Sequence, residues 1–491
     1  MHPADGHSFQ SGDVVRLRDI PVLAYEQFAE SIEDAVRHGD RLIALFAQPG
    51  DDSLLRLFAI TTVRDQGGLS ISSAPVLDTY PALTTRCPAA HWFEREIAET
   101  WGIKPAGHPW LKPIRFSSSP VGITDFFSVA GGDVHEVAVG PVHAGVIEPG
   151  HFRFACAGEN VLHLEISLGY QHRGVEQALK GGPDPRTIHY METLAGDTSV
   201  GHATAYCHNI EALSRCHVSL RGMTLRSIAL EFERLANHTG DLGALAGDIG
   251  YLPVASHCGR IRGDFLNLTA RLCGNRLGRG IARPGGVAHD LDGDQVQVIA
   301  GKMEQAYTDL RQSAQLLWDT PSVVDRFETT GAIGAEQCRE LGIVGPPARA
   351  AGLEQDARLD FPSDIFRFAQ IPVSLWHTSD VFGRAYVRWL EIGRSVEFVR
   401  SQLSSLEPES VRAPVGKLEG NALAVSLVEG WRGEICHVAC TDDAGQFSWY
   451  KVIDPSFHNW IGLAIAMRGQ PISDFPLCNK SFNLSYCGHD L

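Results

Sequence analysis

Histidine, tyrosine and carboxylate side chains able to move a proton recur through the middle of the chain. His143 and His151 share one Gly- and Pro-bounded loop, His189 stands beside Tyr190, and Asp197 precedes His202 and His208. Imidazole titrates near neutral pH, so such a set can deliver or accept protons at a reacting centre. Each of these histidines, taken singly, also reads as a structural imidazole. The run His172-Arg173-Gly174-Val175-Glu176 sets a cationic pair next to a carboxylate. Its plainer reading is a strand-to-helix turn that uses the backbone freedom of Gly174. Glu233, Arg234 and His238 fall about a turn apart on a helix, the spacing of an ordinary ion pair. Cys436 and Cys440 lie four apart in a strand-like stretch and read as structural thiols. CxxC, HExxH, the Walker loop and GxGxxG are all absent, so a self-contained nicotinamide site of the Rossmann type is not expected.

The elements that must position these groups change character along the chain. Residues 1–120 read as a small α/β unit. Residues 26–37 have helical character, 41–47 and 54–63 are strand candidates, and His91–Trp101 is helical. A Pro-rich exit follows at Pro105, Pro109 and Pro113, and proline neither continues a helix nor donates to a ladder. The run 117–120 then reads as a linker. Strands are predicted at Val134–Val139 and 161–168, with a loop over 140–150. Residues 187–279 are mostly helical. There Leu225, Ile228, Ala229, Phe232 and Leu235 share one face. Further helices are predicted over 291–317 and 376–406, with strands and turns returning from Ala422.

The 491 residues suffice for about three domains at roughly 150 residues each. A net charge of −16 argues against a general nucleic-acid binder. No apolar run approaches the roughly 20 residues of a membrane span, and the first stretch, up to Asp19, lacks the apolar core of a signal peptide. The eleven cysteines read as reduced core thiols. A cytoplasmic chain is expected.

Two sets of motifs carry a resemblance. Glu94-Arg95-Glu96, Trp101-Gly102-Ile103, Gly107-His108-Pro109 and Leu111 resemble the signature of the small complex I peripheral-arm subunit. Lys112 and Pro113 stand where that family usually has two arginines. The remainder resembles the quinone-site subunit of complex I and, more closely, the large subunit of formate hydrogenlyase-type nickel–iron hydrogenases. The matching pieces are Gly140-Pro141-Val142-His143, Glu148 to Arg153, and Gly169 to Glu176. Gly201-His202 through Glu211, Glu233-Arg234 with Asn237-His238, Arg283 to Val287, and Glu429 to Glu434 complete them. The resemblance implies an α+β fold. A complex I-type α/β domain over 1–120 would precede a mainly helical hydrogenase large-subunit-like domain with small flanking sheets over 121–491.

The resemblance also implies a nickel–iron centre held by four thiolates in two CxxC pairs, since soft sulfur ligands hold these metals. This sequence has Ala195 and Thr198 at the first pair of positions, and Ser485 and Gly488 at the second, with Cys487 one place out of register. No cofactor is therefore expected on this chain. The family's matching arginine lies beside the iron, so Arg432 is implied to be a cation left in the cavity. The complex I relative receives a quinone in the same cavity, with a loop histidine and a tyrosine as partners. His143 or His151 with Tyr190 would then do so here, with Asp197 and His202 handling protons. His172 and Arg173 would face an iron–sulfur small subunit, and Glu176 would lie on a proton route.

The expected function is that of the large subunit of a membrane-associated, complex I-like oxidoreductase. Electrons would pass from the partner's iron–sulfur cluster to a non-hydrogen acceptor, with a quinone as candidate, and would drive ion translocation through antiporter-like membrane subunits. The chain would sit on the inner face of the membrane through those partners. The alternative is a catalytically silent scaffold of such a complex. The missing ligands argue against an active hydrogenase.

Overall fold

The computed structural model describes residues 6–50, 54–63, 67–117, 119–143 and 147–491. The start of the polar N-terminal stretch, Ser118 of the linker run and the middle of the His143–His151 loop lie outside the described residues.

The first sheet is antiparallel, in the order His7–Phe9, Gly68–Pro75, Leu55–Val63, Leu42–Pro49. The helices Tyr25–Arg37 and His91–Trp101 pack on it. Tyr25–Arg37 buries Phe28, Ala29 and Ile32, which lie at helical spacing. Gly102 ends the second helix in the left-handed conformation that L side chains avoid.

A second sheet has the order Phe447–Ile453, Gly433–Thr441, Ala422–Gly430, Val14–Arg16. Its last strand comes from near the other end of the chain. Val14, Val15 and Arg16 pair antiparallel with Ala424, Leu423 and Ala422. Strand alternation makes this sheet a partition between two cores. Ala422, Ala424 and Val428 face the helical core, while Leu423, Val425 and Leu427 join the core of the first sheet. Such burial stabilises by about 1.5–3 kcal/mol for each fully buried Leu or Val.

The helical core is built from Ser199–Ser214, Leu220–Asp248, Leu252–Cys273, Gly293–Asp319 and Val381–Ser404. Three of these helices start at N-cap side chains that accept orphan amides. Ser219 Oγ accepts from Gly222 N at 3.0 Å, and Asp380 accepts from Gly383 N at 2.8 Å. Asp292 and Gln295 form a reciprocal capping box. The mixed helix-and-sheet architecture follows the sequence expectation, and the predicted 291–317 and 376–406 helices appear as Gly293–Asp319 and Val381–Ser404. The strand His151–Ala157 was not anticipated. It is the middle strand of a third sheet, between Asn160–Ser167 and Val134–Val139.

Candidate functional site

The four positions expected from the sequence to match the family's thiolates lie where the helix Ser199–Ser214 begins and the short C-terminal helix Tyr486–Asp490 starts. Ala195, Thr198, Ser485 and Gly488 are all buried. Thr198 Oγ1 accepts a hydrogen bond from Arg432 at 3.1 Å. Ser485 Oγ accepts from the Gly488 amide at 2.9 Å, capping its own helix. Gly488 has no side chain, and a Cβ there would stand 2.6 Å from the Asp454 carboxyl carbon. Cys487 is the one thiol here; burial and the nearby Glu148 carboxylate push it up to about 11. A nickel–iron pair needs four thiolates, and this set of donors does not fit it.

An ion pair occupies the centre of the site. Arg432 grips Asp197 with two parallel hydrogen bonds of 2.5 and 2.8 Å, the fork geometry that suits a carboxylate. The guanidinium also donates to the Asn483 carbonyl and lies 3.9 Å from the centre of the Trp431 ring. The Asp197 carbonyl accepts from Trp431 Nε1 and Asn237 Nδ2 at 2.9 and 3.0 Å. Asp197 is therefore fixed at both ends. Its side chain remains 35% exposed, against 5% for Arg432. Burial pushes the Asp197 carboxyl up, but Arg432 prevails and holds it below its usual value.

Behind this pair lies Glu233, whose carboxylate accepts the amides of Val200 and Gly201 at 2.7 and 3.2 Å. These are orphan donors at a helix N-terminus. Burial nevertheless raises the carboxyl to about 8, since the two amides do not offset it and Asp197 adds to the rise. The sequence put Glu233, Arg234 and His238 at the spacing of an ordinary ion pair. Arg234 bonds Glu231, one turn earlier, at 3.1 Å, and His238 bonds Glu391 at 2.8 Å.

His202 sits one layer deeper in a chain of four buried side chains. Tyr450 Oη lies 2.9 Å from His437 Nδ1, His437 Nε2 lies 3.0 Å from His202 Nδ1, and His202 Nε2 lies 3.0 Å from Asp454 Oδ2. Strand alternation turns His437 and Tyr450 towards the helix that carries His202, while Lys451 faces the first sheet's core.

The His172–Glu176 run lies elsewhere, beside a cleft of about 360 Å³ between the first sheet's helices and the second sheet. His172 Nδ1 contacts the Asp490 carbonyl at 2.8 Å, and Arg173 donates to the carbonyls of Thr193 and Leu194. Glu176 meets Lys451 at 3.0 Å, and Lys451 also meets Glu96 at 2.6 Å. Glu96 bonds Arg115 as well. Burial works against ionising Glu96, yet Arg115 and Lys451 hold it down to about 2.

The remaining sequence candidates do not touch the ion pair. His143 Nε2 and His151 Nδ1 face the carbonyls of Gly150 and Gly140 at 3.1 and 3.3 Å. Tyr190 is 36% exposed on the short helix Thr187–Met191. His189 pairs with Glu192, and His208 pairs with Asp364. Among the described residues, no hydrogen bond links His143, His151 or Tyr190 to Asp197. Structure thus gathers Asp197, Thr198, Arg432, Ser485 and Gly488, with His202 behind them. Glu148 completes this arrangement by accepting from the Tyr486 amide at 3.2 Å. Asp454, His437 and Tyr450 had drawn no notice in the sequence.

The sequence profile of the respiratory-chain NADH dehydrogenase 49 kDa subunit matches residues 248–421, and that of the 30 kDa subunit matches residues 48–121. The carbon monoxide-induced hydrogenase of Rhodospirillum rubrum is 30% identical over 351 residues, covering 71% of this chain and 97% of that protein. Formate hydrogenlyase subunit 5 of Escherichia coli is 27% identical over 432 residues, covering 83% and 76%. NADH-quinone oxidoreductase subunit 4 of Thermus thermophilus is 28% identical over 370 residues, covering 70% and 90%. The chain belongs to the family that unites complex I 49 kDa-type subunits with hydrogenase large subunits, with a 30 kDa-type segment fused ahead. The same fold occurs in a solved chain of the membrane-bound sulfane sulfur reductase, an archaeal respiratory membrane complex. That chain aligns with a TM-score of 0.69 and 20% identity over 73% of this chain and 99% of its own length.

Proposed function

We propose that this chain is the large subunit of a complex I-like membrane oxidoreductase whose former metal cavity now serves proton-coupled reduction of a non-hydrogen acceptor. The observation that carries this reading is the Asp197–Arg432 pair beside the positions expected for the thiolates, with the Asp197 side chain still partly exposed. Arg432 keeps Asp197 ionised and fixed, so Asp197 can accept a hydrogen bond from a bound acceptor's protonated product. Glu233, at about 8, holds its proton at neutral pH and can release it as charge arrives nearby. A quinone fits this chemistry, because its reduction takes up protons together with electrons.

Electrons would come from an iron–sulfur cluster in a partner small subunit. Antiporter-like membrane subunits would use the released energy. The similarity to a carbon monoxide-induced hydrogenase, a formate hydrogenlyase subunit and an NADH-quinone oxidoreductase subunit supports this placement. Among the described residues no helix is long and apolar enough to cross a membrane, which suits a peripheral place on the cytoplasmic face. We propose no nickel–iron centre and no nucleic-acid role.

The second reading, an inert scaffold, is favoured by the Asp454 carboxylate that closes off the Gly488 position. One experiment separates the two. The complex is purified with its partners, and decylubiquinone reduction is followed with reduced methyl viologen as donor. The first reading expects D197N to lower the rate by about a hundredfold, the low end for a positioned proton-transfer group. An equal rate in D197N, or no quinone reduction at all, leaves the scaffold.

A further inference from the structure

Four buried side chains from separate parts of the sequence, Tyr450, His437, His202 and Asp454, are joined end to end by hydrogen bonds of 2.9, 3.0 and 3.0 Å. Such a row in a dry core is costly unless every donor meets an acceptor. The donor directions follow from the two ends. At one end Asp454 accepts from the Ser456 amide through Oδ1 at 2.8 Å and from His202 Nε2 through Oδ2. At the other end Asn209 Nδ2 donates to Tyr450 Oη at 3.5 Å, so the hydroxyl proton is directed at His437 Nδ1. His437 must then carry its hydrogen on Nε2 and give it to His202 Nδ1. His202 must carry its hydrogen on Nε2. Every donor points towards Asp454.

The charges agree with this assignment. Burial keeps the His437 imidazole well below its usual value, and His202 beside it adds to that. Burial opposes ionising Asp454, but the His202 hydrogen bond and the Arg432 charge hold its carboxyl low. A neutral His437 ring and an ionised Asp454 carboxylate are what these two directions require.

The ends of the row are informative. Asp454 fills the space a side chain at position 488 would take, and the Arg432 charge acts on its carboxyl. Tyr450 borders the cleft of about 360 Å³ that Glu176 and Lys180 also line. Asn209 Oδ1, at that same end, is a buried acceptor without a partner. An entering donor would satisfy it.

We propose that Tyr450, His437, His202 and Asp454 form a proton relay between the cleft that Tyr450 borders and the Asp197–Arg432 ion pair. Tyr450 passes its hydroxyl proton to His437 Nδ1 and regains one from the cleft. His437 passes its Nε2 proton to His202 Nδ1, and His202 passes its Nε2 proton to Asp454. One proton crosses, no electrons move, and both rings end as the opposite tautomer. The inference rests on the cavity being a proton-consuming site, yet it is tested without any acceptor.

The full-length chain is labelled with ¹⁵N-histidine, and the two rings are assigned with H202Q and H437Q. Both rings should carry hydrogen on Nε2 alone between about pH 6 and pH 8, the span in which free imidazole titrates. D454N should move the signals of both rings, although only His202 touches position 454. Y450F should leave the tautomers in place and slow solvent exchange of the His437 ring proton by about a hundredfold. Hydrogen on Nδ1 of either ring overturns the relay. So does a D454N effect confined to His202, or unchanged exchange in Y450F. If D454N fails to fold, Y450F alone decides. Failure of quinone reduction would leave these ring signals as they are, so the two proposals fall separately.

Discussion

The carboxylate of Asp454 occupies the space into which a side chain at position 488 would project, with Oδ2 2.7 Å from an ideal Cβ built on Gly488. Real Cβ atoms do not approach that closely, so one of the two groups must yield. The absence of a side chain at 488 and the presence of an acid at 454 are therefore linked sterically.

G488C should destabilise the chain by about 1–3 kcal/mol, the usual cost of overfilling a packed site. Asp454→Ser removes the obstructing carboxylate, so D454S/G488C should recover part of that loss. Urea midpoints of the wild type, both single variants and the double variant measure the coupling. Additive effects would mean that the C-terminal helix shifts to make room, and would sink the steric reading.

Asp197 is an acid held below its usual value, so its contribution to stability is present above the unfolded value of about 4 and is lost as the pH falls further. In R432Q the carboxylate loses its partner. The expected cost at neutral pH is about 1–3 kcal/mol, below the 3–5 kcal/mol of a fully buried pair because Asp197 is partly exposed. Denaturant melts between about pH 3 and pH 7 should show a shallower acid slope in R432Q than in the wild type. Parallel slopes would show that the pair does not set the acid response.

Glu233 has the opposite sign. Its folded value is about 8 and its unfolded value about 4.3, so the folded state holds a proton that the unfolded state gives up. The stability this provides is complete below about pH 4 and declines steadily up to about pH 8. E233Q mimics the protonated acid and should abolish this decline, so the variant gains on the wild type by a few kcal/mol between those limits. The difference between the two urea midpoints, plotted against pH, measures it. A flat difference would place a cation beside Glu233 in solution.

The legible parts of this fold were those with local causes. His91–Trp101 has an amphipathic face and a Gly102 stop, and Gly293–Asp319 has its capping box. Local spacing did not show the partners at Glu233, because the helix turns Arg234 towards Glu231 while Glu233 meets the Val200 and Gly201 amides. His437 and Asp454 were illegible for another reason. They meet His202 across 235 and 252 positions, and only the pairing of two strands turns His437 towards it. Arg432 and Asp197 are as far apart in sequence, but the family pattern marked both. Asp454 had no such mark, since its role depends on an absent side chain at 488.

The Val14–Arg16 strand has a consequence for the order in which the chain is made. Its hydrogen-bonding partners, residues 422–424, are synthesised long after it. A nascent N-terminal segment leaving the ribosome must therefore keep this apolar strand unpaired through most of translation, with its edge open to wrong partners. The stretch ahead of the 30 kDa-type segment is thus tied to the second sheet and not to the first sheet alone. Its last tie is made only when the far end of the polypeptide arrives, so a product truncated before residue 422 would leave that edge unpaired.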